Sequence, residues 1–112
     1  MSLHKVGNAT LLDQLLVRSA AGDEAAFAEV YDRTVGLTWP IILQGIGRIE
    51  DAEAVTRDVY TELWQQAPQL VNDGYDCAWS TILAITRRIV ADSISLTRAG
   101  DRASERHSVT AA

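Results

Sequence analysis

Carboxylates and arginines are the side chains that recur in this sequence at spacings fit for chemistry. Asp51, Glu53, Asp58 and Glu62 crowd into the stretch "DAEAVTRDVYTELWQQAP", residues 51–68. Four carboxylates on one short helix could in principle hold a metal ion. The Glu-x-x-His pairs from which di-iron helical bundles are built are missing, however. His4 and His107 stand near the two ends, with no Cys or His at ligand spacing. No nucleophile is paired with a base, and "GIGR" is a helix terminus rather than a phosphate-cradling loop. The expectation is a protein that is not an enzyme and carries no cofactor and no metal. The second set is Arg87, Arg88 and Arg98. Long, forked cations among small neighbours can reach phosphates, although an ordinary solvated helix end carries the same charges.

These residues need helices to position them, and helical periodicity runs through the chain. A first helix is expected over about Thr10–Ala21, with Thr10 as N-cap and Leu11, Leu12, Leu15 and Leu16 as its apolar stripe. Gly22 suits the left-handed residue after a helix end, and Asp23 suits the next N-cap. The second helix buries Ala26, Phe27, Val30 and Tyr31. Pro40 should kink or split it, and Gly45 and Gly47 mark its end. The third starts at Glu50 or Asp51 and stops near Ala67, forced by Pro68. On it Ala52, Val55, Val59 and Leu63 face the core, Thr56, Tyr60 and Trp64 flank that stripe, and Glu53, Arg57, Asp58, Glu62 and Gln66 lie outside. The turn "VNDGYD" leads to a fourth helix from about Cys77 to Leu96 or a little beyond. Trp79, Ile82, Leu83, Ile85, Ile89, Val90, Ile94 and Leu96 fill one arc of it. Ser80, Ala84, Arg87, Arg88, Ala91, Ser95 and Arg98 fill the other. The expected fold is all-α, a compact bundle of about four helices over residues 10–99. Residues 1–9 are expected to be a disordered or tag-derived start, and 100–112 a flexible tail.

Composition narrows the class. The 112 residues suit one domain, and nearly half are apolar, enough for a modest core. A single cysteine, Cys77, allows no internal disulfide, which suits a reducing cytoplasm. No signal-peptide pattern and no apolar run long enough to span a bilayer is present. The net charge of −5 argues against a general nucleic-acid binder. Charge is unevenly spread. Residues 1–85 hold five basic and twelve acidic side chains, whereas residues 86–112 hold five arginines and three acids. A basic end on an acidic body leaves room for a local contact with nucleic acid.

Three stretches together resemble region 2 of the extracytoplasmic-function (group IV) sigma factors of bacterial RNA polymerase, and within them an actinobacterial subgroup. "LLVRSAAGDEAAFAEVYDRT" is similar to the family's opening helices. "DAEAVTRDVYTELWQQAPQL" resembles its Asp-Ala-Glu-x-x-Thr-Gln-Glu-Val-Phe-x-x-x-Trp segment, and "AITRRIVADSI" its Ile-Ala-Arg-Arg-x-x-x-Asp-x-Val segment. The resemblance implies docking of the third helix on the clamp helices of the largest catalytic subunit of core RNA polymerase. Glu53, Arg57, Asp58, Glu62, Trp64 and Gln66 become the candidates for that surface. It also implies contact with the non-template strand of the promoter −10 element. Asn72 and Asp73 would meet a flipped base, Arg87, Arg88 and Arg98 the backbone, and Trp79 a stacked base. An anti-sigma factor is the further partner implied.

The chain departs from the family pattern in places. Arg57-Asp58 replaces the usual Gln-Glu, and Ser93 and Ser95 stand where arginines are usual. The family aromatic falls at Thr81 counted from Asp92 but at Trp79 counted from Gly74, and the wheel puts Trp79 in the apolar arc. Family members carry a second, helix-turn-helix domain for which residues 99–112 are too few, so the sequence reads as a piece of a longer protein or a remnant of the family. The reading from another class is a sigma-like helical module that binds an anti-sigma partner or itself, without DNA.

Overall fold

In the computed structural model the backbone of residues 2–111 is described, with the side chains of residues 11–96 and of Arg98. Four helices follow one another: α1 (Ser2–Ala20), α2 (Glu24–Ile46), α3 (Ile49–Asp73) and α4 (Ala78–Ala111). Among the described residues there is no strand, and each helix packs against the other three. The all-α four-helix bundle expected from periodicity is therefore the fold.

The short connections carry clear local chemistry. Gly22 takes φ 95°, a conformation that costs a residue with a Cβ. Asp23 then caps α2, its carboxylate accepting the Ala26 N–H at 3.1 Å and pairing with Arg18 at 2.8 Å. The Ala26 N–H and then Arg18 hold the Asp23 carboxyl below the usual carboxylate range. Gly47 closes α2 at φ 89°, donating its N–H to the Leu43 carbonyl at 2.8 Å.

Both prolines lie inside helices, contrary to expectation. α2 passes through Pro40 unsplit, and α3 passes through Pro68 to Asp73. Each proline is exposed, so the disturbed turn lies on a wet side where water can serve the freed carbonyl. Apolar side chains beyond each proline hold the helix down: Ile42 and Leu43 after Pro40, and Leu70 after Pro68. The expected stop at Ala67 is thus wrong by six residues. α3 begins at Ile49 behind Arg48, which makes no side-chain cap; Arg48 instead reaches Asp51 at 3.8 Å.

The outer helices also run further than expected. Thr10 sits inside α1 rather than capping it, and α4 continues through residues 97–111. Of the start and tail proposed for 1–9 and 100–112, residues 2–9 and 100–111 fall on helical backbone, and residues 1 and 112 and all these side chains lie outside the described residues.

The core is built where the periodicity placed it. Leu15 and Leu16 of α1, Val30 and Ile42 of α2, Val59 and Leu63 of α3, and Ile82 and Ile85 of α4 are buried. Leu11 is exposed, and Leu96 is 74 % exposed, so neither belongs to the apolar stripe assigned to it. Phe27 is half-buried and Tyr31 is 40 % exposed.

At Gly45 α2 comes close to α4. A Cβ there would stand 2.6 Å from Cγ1 of Val90 on α4. Val90 is β-branched and stiff at χ1 in a helix, so it has little room to yield. Gly45→Ala is expected to destabilise the bundle by about 1–2 kcal/mol, overpacking outweighing the gain in helix propensity. At Gly36 a Cβ meets nothing within 4 Å. Gly36→Ala should stabilise by about 0.5–1 kcal/mol. Urea denaturation of the pair measures both signs.

Candidate functional site

The surface of α3 is a ridge with a cleft on each side. Ala52, Val59 and Leu63 are fully buried beneath it, and Glu53, Arg57 and Asp58 are exposed on top. Towards α2, Glu53, Arg57 and Trp64 border a groove of about 880 Å³ whose other walls include Phe27, Tyr31, Trp39 and Tyr60. Towards α4, Asp58 and Glu62 border a smaller cleft of about 380 Å³ with Arg88, Asp92 and Ser93. Thr61 lines both and so stands at the crest. Five of the six residues expected to form one docking face are therefore divided between two edges of one ridge, and Gln66 borders neither cleft.

Aromatic edges line the larger groove. Phe27 meets Trp64 at 5.1 Å between ring centroids with planes at 65°, and Tyr31 meets Tyr60 at 4.8 Å and 69°. Such edge-to-face pairs align the positive rim of one ring with the negative face of the other. Tyr60 and Trp64, placed on the boundary by the sequence, now separate. Trp64 is half-buried, whereas Tyr60 is only 5 % exposed and committed to the core.

The Tyr60 hydroxyl lies 2.7 Å from that of Thr34 and 2.9 Å from that of Thr38. Thr34 donates its own proton to the Val30 carbonyl, so it accepts from Tyr60, and Thr38 then donates to Tyr60. Burial pushes the Tyr60 hydroxyl above its ordinary pKa, opposed by the two threonines.

Glu62 and Gln66 are half-buried and engaged with each other. Gln66 Nε2 donates to Glu62 Oε2 at 2.8 Å, and the same carboxylate oxygen is ion-paired with Arg88 of α4. Arg88 also reaches Asp92 at 3.6 Å. Glu62 was expected to be spare for a partner, and it is not. It joins a residue of the expected polymerase-facing set to one of the expected DNA-facing set. Arg87 makes no ion pair among the described residues. Arg87 and Arg98 are exposed on one side of α4, about 16 Å apart at the rise of an α-helix.

Asn72 and Asp73 do not lie in a loop. They form the last turn of α3, exposed, with Gln69 donating to Asp73 at 2.8 Å and Asn72 close to it at 3.5 Å. The connection is the short segment 74–77, opened by Gly74 at φ 88°, whose N–H donates to the Leu70 carbonyl at 2.9 Å. Trp79 is half-buried and packs on the core, in keeping with its place in the apolar arc. Thr81, the other position for the family aromatic, donates to the Cys77 carbonyl and helps close the first turn of α4.

Asp13 of α1, which the sequence did not single out, anchors this connection. Its carboxylate accepts the Ala78 N–H at 2.8 Å, capping α4 from 65 residues away. It also faces the Tyr75 hydroxyl, whose pKa is pushed up to about 12 by burial and then by the Asp13 charge. No spacing in the sequence could reveal a cap donated by another helix. Thr34 and Thr38 did carry a signal, as a polar pair at i, i+4 inside the buried row Ala26, Val30, Ile42.

An exposed acidic ridge on the third helix and an arginine row on the fourth, in a four-helix bundle, fit the region 2 class that the motifs resemble. Comparison with known proteins points the same way. The chain is 31 % identical over 97 residues to the ECF RNA polymerase sigma factor SigK of Mycobacterium tuberculosis strain H37Rv, and equally to that of Mycobacterium bovis BCG. The aligned region is 86 % of this chain and 51 % of those proteins. SigK of Mycobacterium sp. strain KMS is 31 % identical over 100 residues, 88 % of this chain and 49 % of that protein. The chain spans about half the length of the curated relatives it matches. No protein-family model and no solved structure matches it.

Two substitutions test the site's framework. Tyr60→Phe should cost about 1–2 kcal/mol, because Thr38 and Thr34 lose a partner in a buried place; thermal denaturation measures it. For Tyr75, the folded pKa of about 12 lies above the ordinary 10.0, so this group's stabilising contribution is complete below pH 10. It is lost as pH rises towards about 12. Asp13→Asn keeps a cap oxygen but removes the charge, so the alkaline loss of stability should be smaller in this variant. Urea midpoints measured against pH check the difference.

Proposed function

We propose that this chain acts in transcription initiation as the region 2 part of an ECF sigma factor, working in the cytoplasm without cofactor or catalytic step of its own. Glu53, Arg57, Asp58 and Trp64 dock on the clamp helices of core RNA polymerase. Asn72, Asp73 and the arginines of α4 meet the non-template strand of the promoter −10 element. The observation that carries this reading is the α3 ridge. Its buried side is fully occupied by the core, while Glu53, Arg57 and Asp58 on its top are exposed and make no ion pair among the described residues. Charged helix faces of this kind set register and association rate with a partner of opposite potential. Glu62 and Gln66 lend less to docking than expected, since they are engaged with Arg88 and with each other.

The DNA part is modest by the same physics. Few exposed arginines on an acidic body give few phosphate contacts, and Ser93 and Ser95 add none. Trp79 contributes through an edge at most, because its other side packs on the core.

One observation favours a second reading, a protein-interaction module engaging an anti-sigma factor or a second copy. The aromatic groove between α2 and α3 is the larger of the two clefts on α3.

Retention of core RNA polymerase on immobilised chain tests docking. The wild-type chain should retain it, and Arg57→Glu or Asp58→Lys should weaken retention at least tenfold with unchanged thermal stability. No retention by the wild type rejects the docking reading. Titration of a −10 single-stranded oligonucleotide at several salt concentrations tests the DNA part. Three arginine contacts predict a slope of about −2 for log affinity against log salt. An interaction module shows no binding at any salt.

A further inference from the structure

We infer that the groove between α2 and α3 is covered by the same face of a second copy of this chain, packed across a two-fold axis; this rests on the second reading above, the groove as a protein-binding surface. Phe27, Tyr31, Trp39, Tyr60 and Trp64 wall the groove, and Ile49 stands at its edge 62 % exposed. Water on such walls is unfavourable, and a protein face that covers them gains free energy. Charge decides which face it is. Just two charged side chains line the groove among the described residues, Glu53 and Arg57, one of each sign. They stand four apart on α3, acid first, which is the favoured order for a helical pair. Yet neither makes an ion pair among the described residues, whereas Glu29 and Arg33 at the same spacing on α2 pair at 2.9 Å. Both charges of the groove are therefore open to an occupant.

A basic partner would satisfy Glu53 and oppose Arg57, and an acidic one would do the reverse. An occupant that satisfies both carries a base and an acid one turn apart in the opposite direction. A second α3 running antiparallel carries them. With the two-fold axis level with Val55 along α3, Glu53 of each copy meets Arg57 of the other, so one contact makes two ion pairs. The same register brings Ile49 of each copy level with Thr61 of the other, one turn from Trp64 in that groove. The surroundings agree. At a net charge of −5, two copies repel over most of their surface. The smaller cleft sets Asp58, Glu62 and Asp92 against Arg88 alone and would add to that repulsion. The aromatic groove is balanced, with one acid and one base. Glu53, Arg57 and Trp64 also belong to the proposed docking set, so the paired chain and the polymerase-docked chain exclude each other.

Sedimentation equilibrium of the full chain, from micromolar to near-millimolar concentration, is the test. At about 0.15 M salt the repulsion between the two acidic bodies is screened beyond about 8 Å. The wild type should form dimers and nothing larger, because a two-fold contact closes on itself. Glu53→Arg and Arg57→Glu each set like charges opposite one another twice, and each should weaken dimerisation at least tenfold. Glu53→Arg makes the chain less negative overall, so its effect cannot come from general repulsion. Mixed in equal amounts, the two variants should associate again, since a heterodimer restores both ion pairs. Ile49→Asp puts an acid in the first turn of α3, where the helix favours it, and should also weaken dimerisation at least tenfold. A chain that stays monomeric throughout overturns the inference and leaves the groove to a partner of another kind. Dimers that survive either charge reversal overturn it as well, and so do variants that lose the dimer but fail to recover it on mixing. Dimers that survive all three substitutions put the contact elsewhere on the chain, and the reading of the groove as a protein-binding surface falls with the inference.

Discussion

One tyrosine hydroxyl sets the relation of the two central helices. Tyr60 of α3 reaches Thr34 and Thr38 of α2, one helical turn apart, and all three are buried. Hydrogen bonds in such a place are directional and costly to leave unmade, so α2 and α3 have little freedom to slide past one another. The surface features follow from that register. Phe27 and Tyr31 reach the rings of Trp64 and Tyr60 only where this contact puts them, and the groove between α2 and α3 has its width for the same reason. The charged top of α3 is then turned outward because its other side is fully taken.

The apolar pattern carried most of the fold. Val55, Val59 and Leu63 on α3 and Ile82, Ile85 and Ile89 on α4 are buried where a 3.6-residue period puts them. The exposed arc of α4 was equally legible, as Ser80, Ala84, Arg87, Arg88, Ala91 and Ser95 all face solvent. The prolines were misread for a physical reason. Their local cost is about 3 kcal/mol in a helix interior, but a local rule does not count the tertiary contacts made by Ile42 beyond Pro40 and Leu70 beyond Pro68. The same error put Asn72 and Asp73 in a loop, when the helix that Pro68 was expected to end carries both of them.

The contacts that were illegible are those between side chains far apart in sequence. A wheel places Glu62 outside the core and stops there; it cannot show that Arg88 will stand opposite. Asp13 reads as an ordinary polar residue on α1 until the start of α4 is brought to it. The family resemblance filled part of this gap by assigning roles to faces. It treated the face of α3 and the face of α4 as independent, and the ion pair across the smaller cleft shows that they touch.

The connection between α3 and α4 has a consequence for recognition. Gly74 is bonded back to Leu70 at one end, Ala78 is bonded to Asp13 at the other, and Tyr75 between them faces the same carboxylate. Four residues pinned in this way have few conformations left to lose. Any molecule that settles on this corner meets a surface whose ordering cost was met during folding, so little affinity is spent on arranging it. Discrimination there should be steep and adaptation slight: a ligand whose polar groups are misplaced by a fraction of an ångström finds no loop willing to move towards it.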